Sequence, residues 1–171
     1  MKVIFLDIDG VLNSTASLMS DDSLEEALLL NLKTLVERTD AKIVLSSSWR
    51  VMFNALRALM NRLGNLGMSI FGMTQDGVSW KWAKQHHLKP SEKYHDVYTN
   101  WEGKKFDIST DRGLEIYKWL DEHKDVESFV ILDDEDFDIK NYFPKQLVKT
   151  NFNTGLTAAD VETAYKILMG D

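Results

Sequence analysis

Cysteine is absent from the 171-residue chain, and proline occurs only twice. The absence of cysteine excludes disulfides and thiol catalysis, and it fits a cytoplasmic location, which is our expectation. Basic residues are outnumbered, because 20 lysines and arginines stand against 27 aspartates and glutamates, for a formal net charge of −7. This charge argues against nonspecific binding to nucleic acid or to an anionic membrane, since both favour a basic protein surface.

Long apolar runs are missing as well. No stretch approaches the roughly 20 residues of a membrane span. The apolar run at the N-terminus is interrupted by Asp7, which leaves it too short for a signal peptide. The remaining composition, with 44% hydrophobic and 27% charged residues, is ordinary for a globular protein. The length suits one domain with a core of its own, so we expect residues 1–171 to form a single domain.

Short apolar segments alternate with segments of helical period along most of the chain. Strands are predicted at Lys2–Leu6, Lys42–Ser46, Met68–Phe71, Phe129–Leu132 and Gln146–Lys149. Helices are predicted from about Ser23 to Arg38, from a cap at Ser48 through Met52 to near Gly64, from Arg112 to about His123, and from Thr157 onward, with Asp160 closing a capping box. This alternation predicts an α/β fold with a parallel sheet and right-handed crossovers.

Residues 74–110 have no clean period and contain six aromatic residues among many polar ones. We interpret the segment as an insertion with a short helix around 79–87, because a loop of this length is unusual inside a compact domain. Two interpretations of the aromatic residues stay open. They form a small packed core, or they cover a substrate site and stack on a base.

Polar residues follow three of the predicted strands. Asp7 and Asp9 follow the first strand, Ser46 ends the second, and Asp133 and Asp134 follow the fourth. The carboxyl ends of parallel strands share one edge of the sheet, so these side chains should converge. Carboxylates gathered there repel each other unless a cation lies between them, and Mg²⁺ is the hard cation that suits oxygen ligands. Magnesium also binds phosphate oxygens, which points to phosphate chemistry.

These residues resemble the four motifs of the haloacid dehalogenase (HAD) superfamily. The motifs are Asp7-x-Asp9-Gly10, a serine after an apolar strand, a basic residue that opens a helix, and a late acidic strand end, and together they span about residues 3–138. The run Leu45–Arg50, with Asp9–Asn13 near the start, is similar to small HAD domains associated with RNA-repair proteins. The resemblance implies a Rossmann-like three-layer sandwich with a parallel sheet of about five strands in the order 5-4-1-2-3 and a minimal cap.

The resemblance implies catalytic roles for four residues. Asp7 would be the nucleophile that forms an aspartyl-phosphate, and Asp9 would be the general acid and base. Ser46 would hydrogen-bond the transferring phosphoryl group, and Arg112 would neutralise charge on it. The rivals of Arg112 are lysines of the insertion, namely Lys84, Lys89, Lys93, Lys104 and Lys105.

The implied cofactor is Mg²⁺, held by the carboxylates of Asp7 and Asp134 and by the backbone carbonyl of Asp9. Whether Asp133 or Asp138 assists the metal stays open at this point. A calcium-binding loop is not indicated, because the Asp-x-Asp-x-Asp-Gly pattern is missing.

Three further residues are expected to contact the substrate: Gly10, the backbone N–H of Ser47, and Arg50. The expected function is Mg²⁺-dependent hydrolysis of a phosphate monoester, with a phosphorylated small molecule or a polymer end as the substrate. The alternatives are a phosphomutase and a noncatalytic domain that binds phosphate or a partner. The resemblance implies a nearly capless, open site, and capless members of the superfamily often act on macromolecules, which favours a phosphorylated polymer end or a protein.

Overall fold

The computed structural model describes residues 1–17, 23–136 and 139–170. Over these residues the chain forms eight strands and six α-helices. In chain order they are β1 (Lys2–Leu6), α1 (Glu26–Thr39), β2 (Lys42–Leu45), α2 (Phe53–Asn65), β3 (Ile70–Met73), β4 (Val78–Ser79), α3 (Trp80–Gln85), β5 (His95–Thr99), β6 (Lys105–Ser109), α4 (Arg112–Glu122), β7 (Ser128–Asp133), α5 (Ile139–Tyr142), β8 (Leu147–Lys149) and α6 (Ala158–Met169). Within the described ranges, no helix has both the length and the apolar character that a membrane crossing requires.

The chain divides into two compact units. The first, which we call the sheet unit, comprises Met1–Met73, Asp125–Asp136 and Lys145–Asp171. The second, which we call the hairpin unit, comprises Thr74–Lys124 and Phe137–Pro144. The hairpin unit begins at the residue where the insertion is predicted to begin. The organisation as a single domain with an insertion over 74–110 stays a prediction.

The sheet unit contains a five-stranded sheet in the order β3-β2-β1-β7-β8. All four neighbouring pairs are parallel. The predicted α/β, Rossmann-like fold is confirmed, and the five predicted strands are all present. Their chain-order numbers differ from the predicted ones only because three strands of the hairpin unit come between β3 and β7.

Burial on both faces explains why the central strand is apolar from Val3 to Leu6. Residues 3–6 of β1 have no exposed surface, on either face of the pleat. From α1, the side chains of Leu28, Leu32 and Leu35 enter the same core, at the spacings of three and four that predict a helix. The capping box of α6 is confirmed as well, because the Thr157 hydroxyl accepts from the Asp160 N–H and the Asp160 carboxylate accepts from the Thr157 N–H.

The start of the second helix differs from the prediction. Ser47, not Ser48, is the capping residue, and it caps a short 3₁₀ turn at Ser48–Val51. The helix α2 begins only at Phe53, and Met52 lies at its N-cap with 44% of its surface exposed rather than on the inner face. The prediction was wrong because Ser48–Val51, which the prediction assigned to the helix, form a 3₁₀ turn before α2 begins.

The hairpin unit contains a three-stranded antiparallel sheet in the order β4-β6-β5. The turn between β5 and β6 is closed by the Asn100 N–H, which donates to the Lys104 carbonyl at 3.0 Å, and Gly103 supplies a φ of 78°. The short helix predicted around 79–87 is confirmed as α3. Val78, Ala83 and Leu114 form a small buried core in this unit. Trp82 packs against that core, so the packed-core interpretation holds for this aromatic residue.

Candidate active site

Three carboxylates converge at the carboxyl edge of the parallel sheet. Asp7 follows β1 directly, Asp133 ends β7, and Asp134 comes next. The Asp7 N–H donates to the carbonyl of Leu132 at 2.9 Å, which extends the β1–β7 pairing to the site. One carboxylate oxygen from each aspartate lies within 4.8 Å of the other two. The structure therefore brings together the two acidic strand ends that the sequence predicts to meet.

The donor set of this cluster fits a magnesium ion. All three ligands are carboxylate oxygens, and Asp7 and Asp133 are buried, with 7% and 1% of their surfaces exposed. Burial raises the pKa of the Asp134 carboxyl, and the negative charges of Glu135 and Asp9 raise it further. A divalent cation would offset this repulsion.

Asp133 lies in the cluster beside Asp134, and Asp138 lies outside the described residues. The sequence left these two acids as open alternatives. Asp9 does not contribute its side chain to the cluster. Its expected contribution was a backbone carbonyl, and the metal roles of Asp7, Asp9 and Asp134 stay predictions.

Any residue other than glycine at position 10 would force neighbouring atoms to move. Its φ is 68°, and a Cβ atom built on it would lie 2.6 Å from the Cβ of Asp134 and 2.8 Å from the ring of Phe152. Its N–H donates to Asn13 Oδ1 at 2.8 Å, and its carbonyl accepts from the Thr150 hydroxyl at 2.7 Å. The glycine thus lets the loop after β1 pass directly against the acidic end of β7.

The Asp9 carboxylate is held by two donors from different parts of the chain. Asn13 Nδ2 donates to Oδ1 at 2.8 Å, and the Trp49 indole Nε1 donates to Oδ2 at 3.1 Å. Neither Asn13 nor Trp49 was predicted from the sequence as a partner of Asp9. For Asn13, the spacing of four residues from Asp9 was a signal in the sequence. Trp49 is 40 residues from Asp9, and the sequence contains no signal for this contact. Together they fix the orientation of the carboxylate while each oxygen keeps a second lone pair.

Ser46 follows β2 at the same edge of the sheet. Its N–H donates to the carbonyl of Leu6 at 2.8 Å, so the β1–β2 pairing places it next to the start of the Asp7 loop. Its hydroxyl is buried and has no hydrogen-bond partner among the described residues. A buried hydroxyl without a partner costs stability, and such groups are typical of sites that await a ligand.

The two other predicted residues of this motif are partly engaged with the backbone. The side chain of Ser47 accepts from the Trp49 N–H at 3.4 Å as the cap of the 3₁₀ turn. Arg50 Nη1 donates to the Ser47 carbonyl at 2.8 Å. These contacts order the segment after Ser46, and the substrate-binding roles of Gly10, Ser47 and Arg50 stay predictions.

Arg112 lies in the hairpin unit, as the first residue of α4. The side chain of Asp111 caps this helix by accepting from the N–H groups of Gly113 and Leu114. Arg112 Nε is 4.0 Å from the carboxylate of Glu115, which is buried and also accepts from the Gly77 N–H at 2.8 Å. The predicted opening of a helix by Arg112 is confirmed, and its role toward the phosphoryl group stays a prediction.

Comparison with known proteins identifies the family of this chain. A family model described as the HAD domain in Swiss Army Knife RNA repair proteins matches residues 3–161. Searches of curated proteins and of solved structures gave no significant match. The matched range runs through both units and contains every residue of the predicted motifs. The resemblance drawn from Asp7-x-Asp9-Gly10 and the later motifs is confirmed, and the chain belongs to the family of HAD domains found in Swiss Army Knife RNA repair proteins.

Proposed function

We propose that this chain is a Mg²⁺-dependent phosphatase that removes a terminal phosphate from an RNA strand through an aspartyl-phosphate on Asp7. Membership of the HAD family supports a phosphoesterase in general. The finer proposal rests on the position of three carboxylates, those of Asp7, Asp133 and Asp134. One oxygen atom of each lies within 4.8 Å of the other two at one edge of the sheet. The Ser46 hydroxyl at the same edge supports this proposal, because it has no hydrogen-bond partner within the described ranges.

In the first half of the reaction, a carboxylate oxygen of Asp7 attacks phosphorus. The bond between phosphorus and the ester oxygen breaks, and its electron pair stays on the departing oxygen. Asp9 donates a proton to that oxygen, which leaves as an alcohol. The contacts from Asn13 and Trp49 hold the Asp9 carboxyl in one orientation for this transfer.

In the second half, Asp9 takes a proton from a water molecule that attacks the phosphorus of the aspartyl-phosphate. The bond between Asp7 and phosphorus breaks, inorganic phosphate leaves, and the Asp7 carboxylate is restored. The Ser46 hydroxyl donates a hydrogen bond to a phosphoryl oxygen during both halves. Asp7, Asp134 and the backbone carbonyl of Asp9, with Asp133 beside them, would hold Mg²⁺, which supplies positive charge to the phosphoryl oxygens when bound.

The RNA end is proposed as the substrate because the matching family model names RNA repair proteins. A phosphorylated small molecule is the other substrate that the sequence left open. A cytoplasmic location, expected from the lack of cysteine, stays a prediction.

Two alternatives follow from the same fold. A phosphomutase would pass the phosphoryl group from Asp7 to a hydroxyl group instead of to water. A noncatalytic domain would bind phosphate without turnover, but the presence of competent side chains at Asp7, Asp9 and Ser46 disfavours it.

The test measures phosphate release from RNA oligonucleotides that carry a 5′- or a 3′-terminal phosphate, with Mg²⁺ and with EDTA. We expect Mg²⁺-dependent release, and we expect Asp7→Asn to abolish it while the thermal melt stays near that of the wild type. Asp40→Asn is the matched control, because Asp40 is exposed in the left-handed region, with a φ of 53°, where asparagine is well tolerated. This control should turn over normally.

Turnover by Asp7→Asn would remove the nucleophile role. Release from an aryl phosphate but from neither RNA would move the substrate to the small-molecule class. Transfer to an added alcohol in place of water would indicate the mutase. Binding of phosphate without any turnover would indicate the noncatalytic domain.

A further inference from the structure

The hairpin unit has an open pocket of its own between the start of α3 and the first half of β6. Its volume is about 620 Å³. Its lining includes two aromatic, three basic and one acidic residue: Trp80, Phe106, Lys81, Lys84, Lys105 and Asp107. The pocket exists because β4 is only two residues long and pairs with Ile108 and Ser109, which leaves residues 105–107 of β6 uncovered on that side.

The positive charge of this pocket is not balanced. Among the described residues, Lys81, Lys84 and Lys105 form no ion pair with a carboxylate. The pocket's acidic residue, Asp107, is engaged by His95 Nε2 at 3.0 Å.

The net charge of the whole chain does not apply to this unit. The hairpin unit contains ten lysines and arginines and ten aspartates and glutamates, so the net charge of −7 arises entirely in the sheet unit. The negative net charge of the whole chain therefore does not disfavour nucleic-acid binding at the pocket.

Aromatic surface lies beside the lysines. The indole Nε1 of Trp80 is buried and finds no acceptor among the described residues, although its N–H is a donor. Phe106 and Tyr98 are 38% and 56% exposed, and their ring centroids are 6.4 Å apart. Lys84 Nζ lies 5.4 Å from the centroid of the Trp80 ring, and Lys104 Nζ lies 5.1 Å from that of Phe106. Alternation along β6 places Phe106 and its cross-strand partner Tyr98 on one face of the sheet and Lys105 and Asp107 on the other. Residues of both faces line the pocket at the uncovered edge of β6.

We infer that this surface binds a single-stranded RNA segment, with phosphates at the lysines and bases on the exposed rings. The inference rests on the proposed function and specifies how its substrate is held. Stacking on aromatic rings combined with basic side chains along the backbone is the chemistry that recognises single strands. A duplex does not fit this chemistry, because its bases are already stacked. The surface carries four lysines and three aromatic rings, and a single phosphate group would contact only some of them.

The test is fluorescence anisotropy with a labelled RNA of about 12 nucleotides that lacks a terminal phosphate. EDTA is present, so neither turnover nor recognition of an RNA end contributes. The matched variants are the triple K81Q/K84Q/K105Q and the triple K42Q/K145Q/K166Q, which removes the same charge from three exposed lysines of the sheet unit. We expect the first triple to bind at least tenfold more weakly, and its salt slope should fall by about 2, since each phosphate contact on a single strand contributes roughly 0.7. The second triple should bind as the wild type does.

A second pair of variants tests stacking independently of charge and of any folding defect in the triple variant. Phe106→Leu should weaken binding about tenfold, because leucine offers no aromatic ring on which a base can stack. Phe71→Leu, at a phenylalanine of the sheet unit that is 53% exposed, should not. Equal affinities for wild type, K81Q/K84Q/K105Q and Phe106→Leu would overturn the inference. So would competition by uridine 5′-monophosphate at the same concentration as an unlabelled strand, because it would show a single-nucleotide site.

Hydrolysis of para-nitrophenyl phosphate by the wild-type protein separates this inference from the proposed function. Hydrolysis without strand binding overturns the inference and leaves the phosphatase in place. Strand binding without hydrolysis of any phosphate ester overturns the phosphatase and supports the inference.

Discussion

Gly10→Ala tests the central geometric claim, that the loop after β1 passes directly against the acidic end of β7. The added Cβ would lie 2.6 Å from Asp134 Cβ, 2.7 Å from Asp134 Cγ and 2.8 Å from the ring of Phe152. Real Cβ atoms essentially never show such distances, so Asp134 must move or the loop must move. Either shift disturbs the proposed metal site.

Two costs add up at this position. Holding alanine at a φ of 68° costs roughly 1–2 kcal/mol, because the left-handed region crowds Cβ against the backbone. Forcing a methyl group into a filled space costs a further ~1–3 kcal/mol. We therefore expect Gly10→Ala to lower the free energy of unfolding by about 2–5 kcal/mol, which is a large part of the roughly 5–15 kcal/mol of a typical domain.

Gly67→Ala is the matched control. Gly67 has a φ of 76°, and a Cβ built on it meets nothing within 4 Å. This variant carries the backbone cost alone, about 1 kcal/mol after the gain from a less flexible unfolded chain. The difference between the two variants isolates the contacts with Asp134 and Phe152.

The assay is urea denaturation of both variants and the wild type, with and without Mg²⁺. We expect Gly10→Ala to lose more stability than Gly67→Ala and to lose most of the Mg²⁺-dependent stabilisation, which Gly67→Ala should keep. If both variants lose the same stability and respond equally to Mg²⁺, the close approach of Gly10 to Asp134 is refuted.

Four other predictions concern single side chains. Asp134→Asn should raise the Mg²⁺ concentration needed for half-maximal phosphate release at least tenfold, as a metal titration would show. Ser46→Ala should leave the stability unchanged or raise it by about 1 kcal/mol, because the buried hydroxyl lacks a partner among the described residues, while kcat/KM falls at least tenfold. Thr157→Ala should cost about 1 kcal/mol in urea denaturation through loss of the α6 cap. Hydrogen bonding from Arg38 lowers the pKa of Glu162, so this pair stabilises the fold above the ordinary pKa of about 4.3 and loses its effect as the pH falls through the lowered value. The stability deficit of Glu162→Gln should accordingly be present at pH 7 and vanish in acid, and an unchanged deficit at low pH would contradict this.

The parallel sheet could be predicted from sequence because its strands are buried on both faces. In β1 this burial requires a run of apolar residues, and the run ends at Asp7, at the carboxyl edge of the sheet. Burial also explains why α1 was predicted correctly, because its inward leucines repeat every three or four residues. The prediction of the carboxylate cluster needed only the rule that parallel strands end at one edge.

The hairpin unit could not be predicted in the same way. All five residues of β5 are exposed, so the strand lacks the alternation that identifies one buried face. Its pairing with β6 depends on the turn, where the Asn100 side chain accepts from the N–H groups of Glu102 and Lys104. Asparagine followed three residues later by glycine was the available turn signal.

The partners of individual site residues were harder to foresee. The hydrogen bond from Trp49 to Asp9 depends on where the 3₁₀ turn after β2 places the indole ring. No spacing rule links positions so distant in the chain, and a buried tryptophan is ordinarily assigned to a core. The position of Asp133 beside Asp134 in the cluster likewise required the geometry of the end of β7.

The strand order has a consequence for synthesis on the ribosome. Strand β1 lies between β2 and β7, yet β7 begins only at Ser128, after most of the hairpin unit has been made. A nascent chain therefore carries one apolar strand with an unpaired edge, a feature that invites aggregation and chaperone binding. Because Asp133 and Asp134 come at the end of that late strand, a chain that terminates before β7 lacks two of the three carboxylates of the cluster.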